Sequence, residues 1–262
     1  MIWDWYGAFG PLSAVLWLSG ALVLAFKKPK GALTLIWAGT IVTAIFIAGL
    51  WSSLERPPLR TMGETRLWYS LFLAAAGALA YRKWPYGWLL GFAAVLSSVF
   101  ALMNFFKPEI QSKALMPALQ SVYFVPHVTL YMLSYSLLAA SAVASVMQLR
   151  TISKKRAPDP KLSSLIDNVV RAGLGFIMLG LITGAVWAKE AWGHYWSWDP
   201  KETWAFVTLA SYLCYLHLRL DRQRARPRLT LMALPLGFVF LMITWLGLSY
   251  LPTAQISVHS YQ

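Results

Sequence analysis

Eight apolar runs, most of them near the length that crosses a bilayer, constrain this chain more than any other feature. They cover roughly residues 7–26, 32–51, 67–81, 86–104, 127–148, 166–188, 203–218 and 229–250, and the third and seventh are short. A helix of about 20 apolar residues spans the hydrocarbon core. In lipid every backbone polar group must be satisfied internally, which leaves helices or closed barrels. Barrel strands alternate in polarity, whereas these runs are continuously apolar. The pattern predicts an all-α, polytopic membrane protein with about eight transmembrane helices, read as a single integral membrane domain over 1–262. The first run lacks a preceding basic region, and Lys27, Lys28 and Lys30 follow it. It therefore reads as a permanent first span and not as a cleaved signal.

The formal charge of +13 would suit a nucleic-acid binder, but its placement argues otherwise. The basic residues lie in short connections between apolar runs, where positive-inside retention accounts for them, so no nucleic-acid partner is expected. One set of alternating connections carries 16 Lys and Arg residues and the other carries seven. The richer side, with the 150–161 and 222–228 stretches, is assigned to the cytoplasm and to contact with anionic membrane lipids. Both termini are then outside. The 150–161 stretch, with Pro158 and Pro160, reads as a mobile cytoplasmic loop. The single cysteine, Cys214, excludes a disulfide framework and a multi-thiolate metal site. No P-loop, dinucleotide fingerprint, zincin motif or Ser/His/Asp ordering is present.

The segment between the sixth and seventh runs is the most informative. Five tryptophans, Trp187, Trp192, Trp196, Trp198 and Trp204, fall within eighteen positions. An aromatic belt at the headgroup level explains one or two of them. It does not predict a dense cluster interleaved with Gly193, Ser197 and Asp199 at an external connection. Asp199-Pro200-Lys201-Glu202 is a helix start, with Asp as N-cap, Pro in the first turn and Glu three residues after the cap. Trp192 and Trp196 share a face if the preceding segment is a short interfacial helix. Gly193 lets a flat ligand approach the backbone. Together these residues predict an aromatic shelf suited to a large planar ring.

The run Trp192-Gly193-His194-Tyr195-Trp196-Ser197-Trp198-Asp199-Pro200-Lys201-Glu202-Thr203-Trp204 resembles the tryptophan-rich WWD signature of haem-handling proteins in cytochrome c maturation. It is most similar to the CcsA (ResC-type) family of the system II route. The resemblance takes in Gly184–Ala188, Tyr215–Arg219 and Val258–Tyr261, covering roughly 120–262, while 1–119 match loosely. It implies haem-contacting roles for Trp192, Gly193, Tyr195, Trp196, Trp198, Asp199 and Trp204. No catalytic residue is assigned. It also implies haem b as the transported substrate and a CcsB (ResB)-type membrane partner. Apocytochrome c would be the acceptor, and the chain a subunit of a cytochrome c synthase (haem lyase) complex. The location would be a bacterial cytoplasmic membrane or a thylakoid membrane, with the haem site facing outside.

Ionisable residues in or beside a membrane are costly and commonly functional. His127, at the outer start of the fifth run, and His259, in the external tail, fall on the side of the Trp segment. Two imidazoles on opposite faces of a planar ring make a bis-His iron site, and the family uses one external histidine before the Trp segment and one after. His217 lies 13 residues after Trp204, about 20 Å along a helix. That puts it in the cytoplasmic half of the seventh span, where the resemblance implies an intramembrane haem ligand completed by a partner's histidine. His194 is a candidate accessory ligand or hydrogen-bond donor. The expected function is haem transfer to the external face and presentation to apocytochrome c at Cys-x-x-Cys-His. Two alternatives stand beside it. One is a related haem-binding protein of haem-biosynthesis regulation or another maturation route; the other is a non-haem transporter or anchor subunit.

Overall fold

The computed structural model describes residues 2–107, 117–220 and 227–248. Among them are eight long α-helices: α1 (Tyr6–Ala25), α2 (Pro29–Leu54), α3 (Met62–Lys83), α4 (Gly87–Phe106), α5 (Phe124–Ser153), α6 (Pro160–Trp192), α7 (Pro200–Leu220) and α8 (Pro227–Met242). Each overlies one apolar run. The described residues contain no strand. Six stretches are long and apolar enough to cross a membrane: Trp3–Ala25, Pro29–Leu54, Gly87–Phe106, Phe124–Ser153, Pro160–Trp192 and Pro227–Gly247. The two remaining helices, α3 and α7, carry Glu64, Arg66, Arg82 and Lys83, or Lys201, Glu202, His217 and Arg219, towards their ends. These are the two runs that read as short.

The distribution of polarity marks an integral membrane protein. Many large exposed side chains on the long helices are apolar: Leu12, Val15 and Leu22 on α1, Met178, Leu179 and Ile182 on α6, Leu229, Met232, Leu236 and Val239 on α8. The buried set holds small hydroxyls and an amide: Ser13, Thr40, Thr43, Ser70, Ser97, Ser98 and Asn104. In hydrocarbon, apolar side chains gain nothing by turning inward. Helix association therefore relies on close backbone approach and interhelical hydrogen bonds.

The chain packs as two compact units, Met1–Ser136 and Leu137–Gln262. In the first, α1 packs against α2 and α4, and α3 against α4. Trp17, fully buried, donates from Nε1 to the Ile36 carbonyl at 3.2 Å. Thr43 donates to Ser13 Oγ at 3.0 Å, and Ser97 to the Ser70 carbonyl at 2.9 Å. Gly39 has a packing reason: a Cβ there would stand 2.9 Å from the Trp17 ring and 3.1 Å from the Ser13 carbonyl oxygen.

One end of this unit is tied together around Glu64, which is buried. Its carboxylate takes two hydrogen bonds from Arg56, at 2.9 and 2.8 Å. It also accepts the backbone N–H of Arg60 at 2.7 Å and of Thr61 at 3.2 Å, while Thr61 Oγ1 caps the Glu64 N–H. This is a reciprocal capping box with an ion pair added. Arg60 Nη2 reaches the Gln120 carbonyl at 3.4 Å, linking the cap to the segment before α5. Partial burial, with Arg56 nearby, lowers the Arg60 pKa, and Glu64 opposes that shift.

In the second unit α7 packs along α8 and meets α6 at few points. The 150–161 connection, expected to be a mobile loop, is a tight helix–helix turn. Arg156 N–H bonds the Thr151 carbonyl and Lys155 N–H the Ile152 carbonyl. Asp159 caps α6 through the Lys161 N–H at 2.9 Å. Gln148, buried, donates to the Asp159 carbonyl at 2.9 Å and to Ser163 Oγ at 2.8 Å. Both ends of the turn are closed by the ordinary capping chemistry of the helices it joins. The end of α8 loosens into a π-helical turn, Ile243–Gly247, where Thr244 and Thr208 of α7 lie 3.3 Å apart.

Candidate functional site

The Trp segment is built by two helix ends and the seven residues between them. Helix α6 runs through Trp192 and stops at Gly193, whose φ of 87° is left-handed. Glycine is needed there for its backbone, since a Cβ at Gly193 would meet nothing within 4 Å. Lys189, one turn back, donates from Nζ to the Gly193 carbonyl at 2.7 Å and lies over the Tyr195 ring at 5.7 Å. The expectation that Trp192 and Trp196 share a helix face is corrected: the helix ends between them. Trp192 instead meets Trp187 edge-on, with ring centroids at 4.8 Å. Trp196 meets Trp198 edge-on at 5.7 Å, and Trp198 meets Phe206 of α7 at 5.9 Å.

The start of α7 follows the reading of its sequence. Asp199, buried, caps it through the Lys201 N–H at 2.9 Å. Glu202 returns a bond to the Asp199 N–H at 3.1 Å. The same Glu202 oxygen also accepts the Ser197 N–H at 2.8 Å and the Ser197 hydroxyl at 3.3 Å. Between Ser197 and Asp199 sits Trp198, with φ of 60°. That left-handed conformation is uncommon for a bulky residue and costs about 1–3 kcal/mol. The residue is clamped on both flanks by Glu202, and its own carbonyl accepts a bond from the Thr203 hydroxyl at 3.2 Å. Hydrogen bonds to a charged group contribute about 1.5–3 kcal/mol each, enough to hold the strained turn.

The clamp makes a surface with a particular chemistry. Tyr195 and Trp198 are 59% and 63% exposed, so much of two aromatic side chains is accessible to a ligand. Trp196 is partly buried, and its Nε1 is a buried donor with no hydrogen-bond partner. An orphan donor beside exposed rings suits a planar apolar ligand with a carboxylate edge. Trp204 lies within α7 and packs against Phe240 of α8 at 5.8 Å. His194 is exposed.

The histidines fall in different places. His127 sits in the first turn of α5, in the first unit, seven residues beyond the Gln120 contact of Arg60. Its ring packs edge-on against Tyr131 at 4.5 Å, and Tyr131 stacks on Tyr135 at 5.5 Å. This ladder at four-residue spacing orients the imidazole. The Trp segment belongs to the second unit, and His259 lies outside the described residues. His217 is exposed on α7, at the end of a continuous helix that starts at the shelf.

Three features escaped the sequence reading. The strain at Trp198 leaves no trace in composition. Tyr131 and Tyr135 were legible as aromatic residues following His127 at helical spacing. Asp167, which binds Tyr215 and Arg219 on either side of His217, stands out as an acid inside an apolar run.

Fold and segment together define a polytopic, all-α membrane protein that displays a pre-formed aromatic platform. The chain belongs to the cytochrome c assembly protein family, whose model matches residues 5–254 and so takes in the first four helices as well. It is similar to proteins named cytochrome c biogenesis protein CcsA. With that of Chlamydomonas reinhardtii it shares 34% identity over 182 residues, 67% of this chain and 50% of that one. This chain therefore spans half of that relative's length. With that of Solanum bulbocastanum the identity is 32%, over 85% of this chain and 84% of the relative. With that of Guillardia theta it is 33%, over 92% and 89%.

Proposed function

We propose that this protein carries haem b to the external face of the membrane and presents it to apocytochrome c for covalent attachment at Cys-x-x-Cys-His. Family membership supports a role in cytochrome c maturation. The observation that carries the finer reading is the Glu202 clamp, which spends local strain to hold Trp198 outward beside Tyr195 and the orphan Trp196 donor. Preorganised platforms bind well because the ordering cost is met during folding.

In this reading the chain crosses the membrane eight times with both termini outside. His217 receives haem within the membrane, paired with a histidine of a CcsB (ResB)-type partner. At the outer face, Trp192, Gly193, Tyr195, Trp196, Trp198, Asp199 and Trp204 form the shelf, and His127 and His259 take the two axial positions on the iron. Two imidazoles occupying the iron exclude dioxygen and peroxide from it. The Trp196 N–H would meet a propionate, and the exposed rings of Tyr195 and Trp198 would keep water from the macrocycle. The attachment step is an addition: each acceptor thiol S–H adds across a vinyl C=C, forming a C–S bond and a C–H bond with no net electron transfer. Positioning is therefore the protein's main task.

The test is a host lacking its own maturation system that co-expresses this chain, its CcsB-type partner and an apocytochrome c. Haem-stained, covalently loaded cytochrome should form with the wild type and disappear when Trp196, Trp198 and Asp199 are all replaced by Ala. Undiminished loading by a triple variant present at wild-type level would refute the proposal and favour a belt-like role for the tryptophans.

A further inference from the structure

Asp167 lies near the start of α6 and accepts hydrogen bonds from Tyr215 and Arg219 of α7, with Arg219 Nε shared between its two oxygens at 3.0 and 3.2 Å. The Tyr215 hydroxyl donates at 2.7 Å, Arg219 Nε at 3.0 Å to Oδ1, and Arg219 Nη2 at 3.0 Å to Oδ2. The carboxylate side chain is 15% exposed and the guanidinium side chain 47%. Tyr215 and Arg219 are four residues apart and so stand one above the other on α7. Their stripe continues backwards through the buried Tyr212, Thr208 and Ala205. A single carboxylate bonded at two successive turns fixes both the height of a helix and its rotation about its axis. Since α7 meets α6 at few points, this latch is a polar tie that holds the two helices at one level.

His217 lies two residues from each latched residue. At about 100° per residue that is roughly 200° around the helix, so a helix latched through Tyr215 and Arg219 must send His217 out of the opposite face. There it is exposed with Phe206, Leu213, Cys214 and Leu220. We infer that Asp167, through Tyr215 and Arg219, is the positioning residue for His217, setting the direction in which its imidazole leaves α7. The inference rests on the reading of His217 as a haem ligand. A side-chain tip lies about 5 Å from the helix axis, so a 30° rotation displaces it by about 3 Å. Ligand geometry tolerates about 0.5 Å.

Cys214, the sole cysteine, is exposed three residues before His217 and shares its face. A spin label on it reports the rotation of α7 without reference to haem. The experiment uses the full chain co-purified in detergent with its CcsB-type partner, any partner cysteines replaced, and carries His127→Ala and His259→Ala, so that low-spin ferric haem reports on His217 and the partner's histidine. Asp167→Ala should loosen the Cys214 label, lower haem affinity about tenfold and shift the low-spin signal of the haem that remains. Asp167→Arg combined with Arg219→Asp should restore both readouts. Circular dichroism and gel filtration identify any variant that misfolds, and the charge-swapped pair keeps the test decisive in that case. If His217→Ala abolishes low-spin haem while Asp167→Ala alters neither the label nor the titration, the latch is refuted and the ligand reading survives. If His217→Ala changes nothing, the ligand reading fails, and the label alone decides whether Asp167 sets the rotation.

Discussion

Glu202→Ala removes the oxygen that accepts from Ser197 N–H, Ser197 Oγ and Asp199 N–H at 2.8, 3.3 and 3.1 Å. The turn is partly exposed, so water replaces much of what is lost, and the net cost is about 2–3 kcal/mol and not the sum of three charge-assisted bonds. Against it stands the left-handed Trp198, costing about 1–3 kcal/mol. With the clamp gone that strain is no longer offset, and the turn relaxes. A shift of about 2–3 kcal/mol changes the population of the clamped turn by roughly 30- to 150-fold. Apparent affinity falls with the fraction of competent molecules. Haem titration of the purified protein, followed by Soret absorbance, should show weakening of about 10- to 100-fold, with helix content by circular dichroism unchanged. Glu202→Gln keeps an acceptor oxygen and should lose less than about tenfold. In a Trp198→Gly background, where the backbone is unstrained, the further effect of Glu202→Ala should shrink by the strain energy. An equal effect of Glu202→Ala in both backgrounds would refute the strain argument. An unchanged affinity for the single variant would refute the clamp.

Other expectations follow from the same geometry. Gly193→Ala should cost about 1 kcal/mol by denaturant-monitored unfolding, because only the backbone is strained; Gly193→Asn should cost less. Gly39→Ala drives a Cβ against Trp17 and the Ser13 carbonyl and should cost about 1–3 kcal/mol through overpacking, visible as a lowered unfolding temperature in detergent. Arg56→Ala leaves Glu64 buried without its ion-pair partner and should cost about 3 kcal/mol, whereas the conservative Arg56→Lys should recover part of that stability.

The helices were legible because lipid demands continuous apolar runs, and each of the eight lies over one of them. The helix start at Asp199 was equally plain, since capping chemistry is local and its residues are adjacent. Side-chain direction beyond a helix end was not. Gly193 ends α6 by its left-handed φ, and this separates Trp192 from Trp196, although their spacing suits a shared face. The left-handed Trp198 depends on one Glu202 oxygen of α7 that accepts three hydrogen bonds from its flanks and on the Thr203 hydroxyl that donates to its carbonyl, an arrangement that no spacing rule encodes. Charge and proline content mark 150–161 as a loop but not how it is closed. Gln148 closes that turn from within α5 through two hydrogen bonds, an interaction that composition does not reveal. The convergence of His127 with His259 stays a prediction, because His259 is outside the described residues.

The most direct measurement is the electron paramagnetic resonance and absorption spectrum of the purified protein loaded with ferric haem, with His217→Ala present throughout so that only the outer site reports. The account predicts a low-spin, six-coordinate haem whose signal His127→Ala and His259→Ala each convert to high spin or abolish. A low-spin signal that survives both substitutions, or a protein that takes up no haem at all with its partner present, would contradict it.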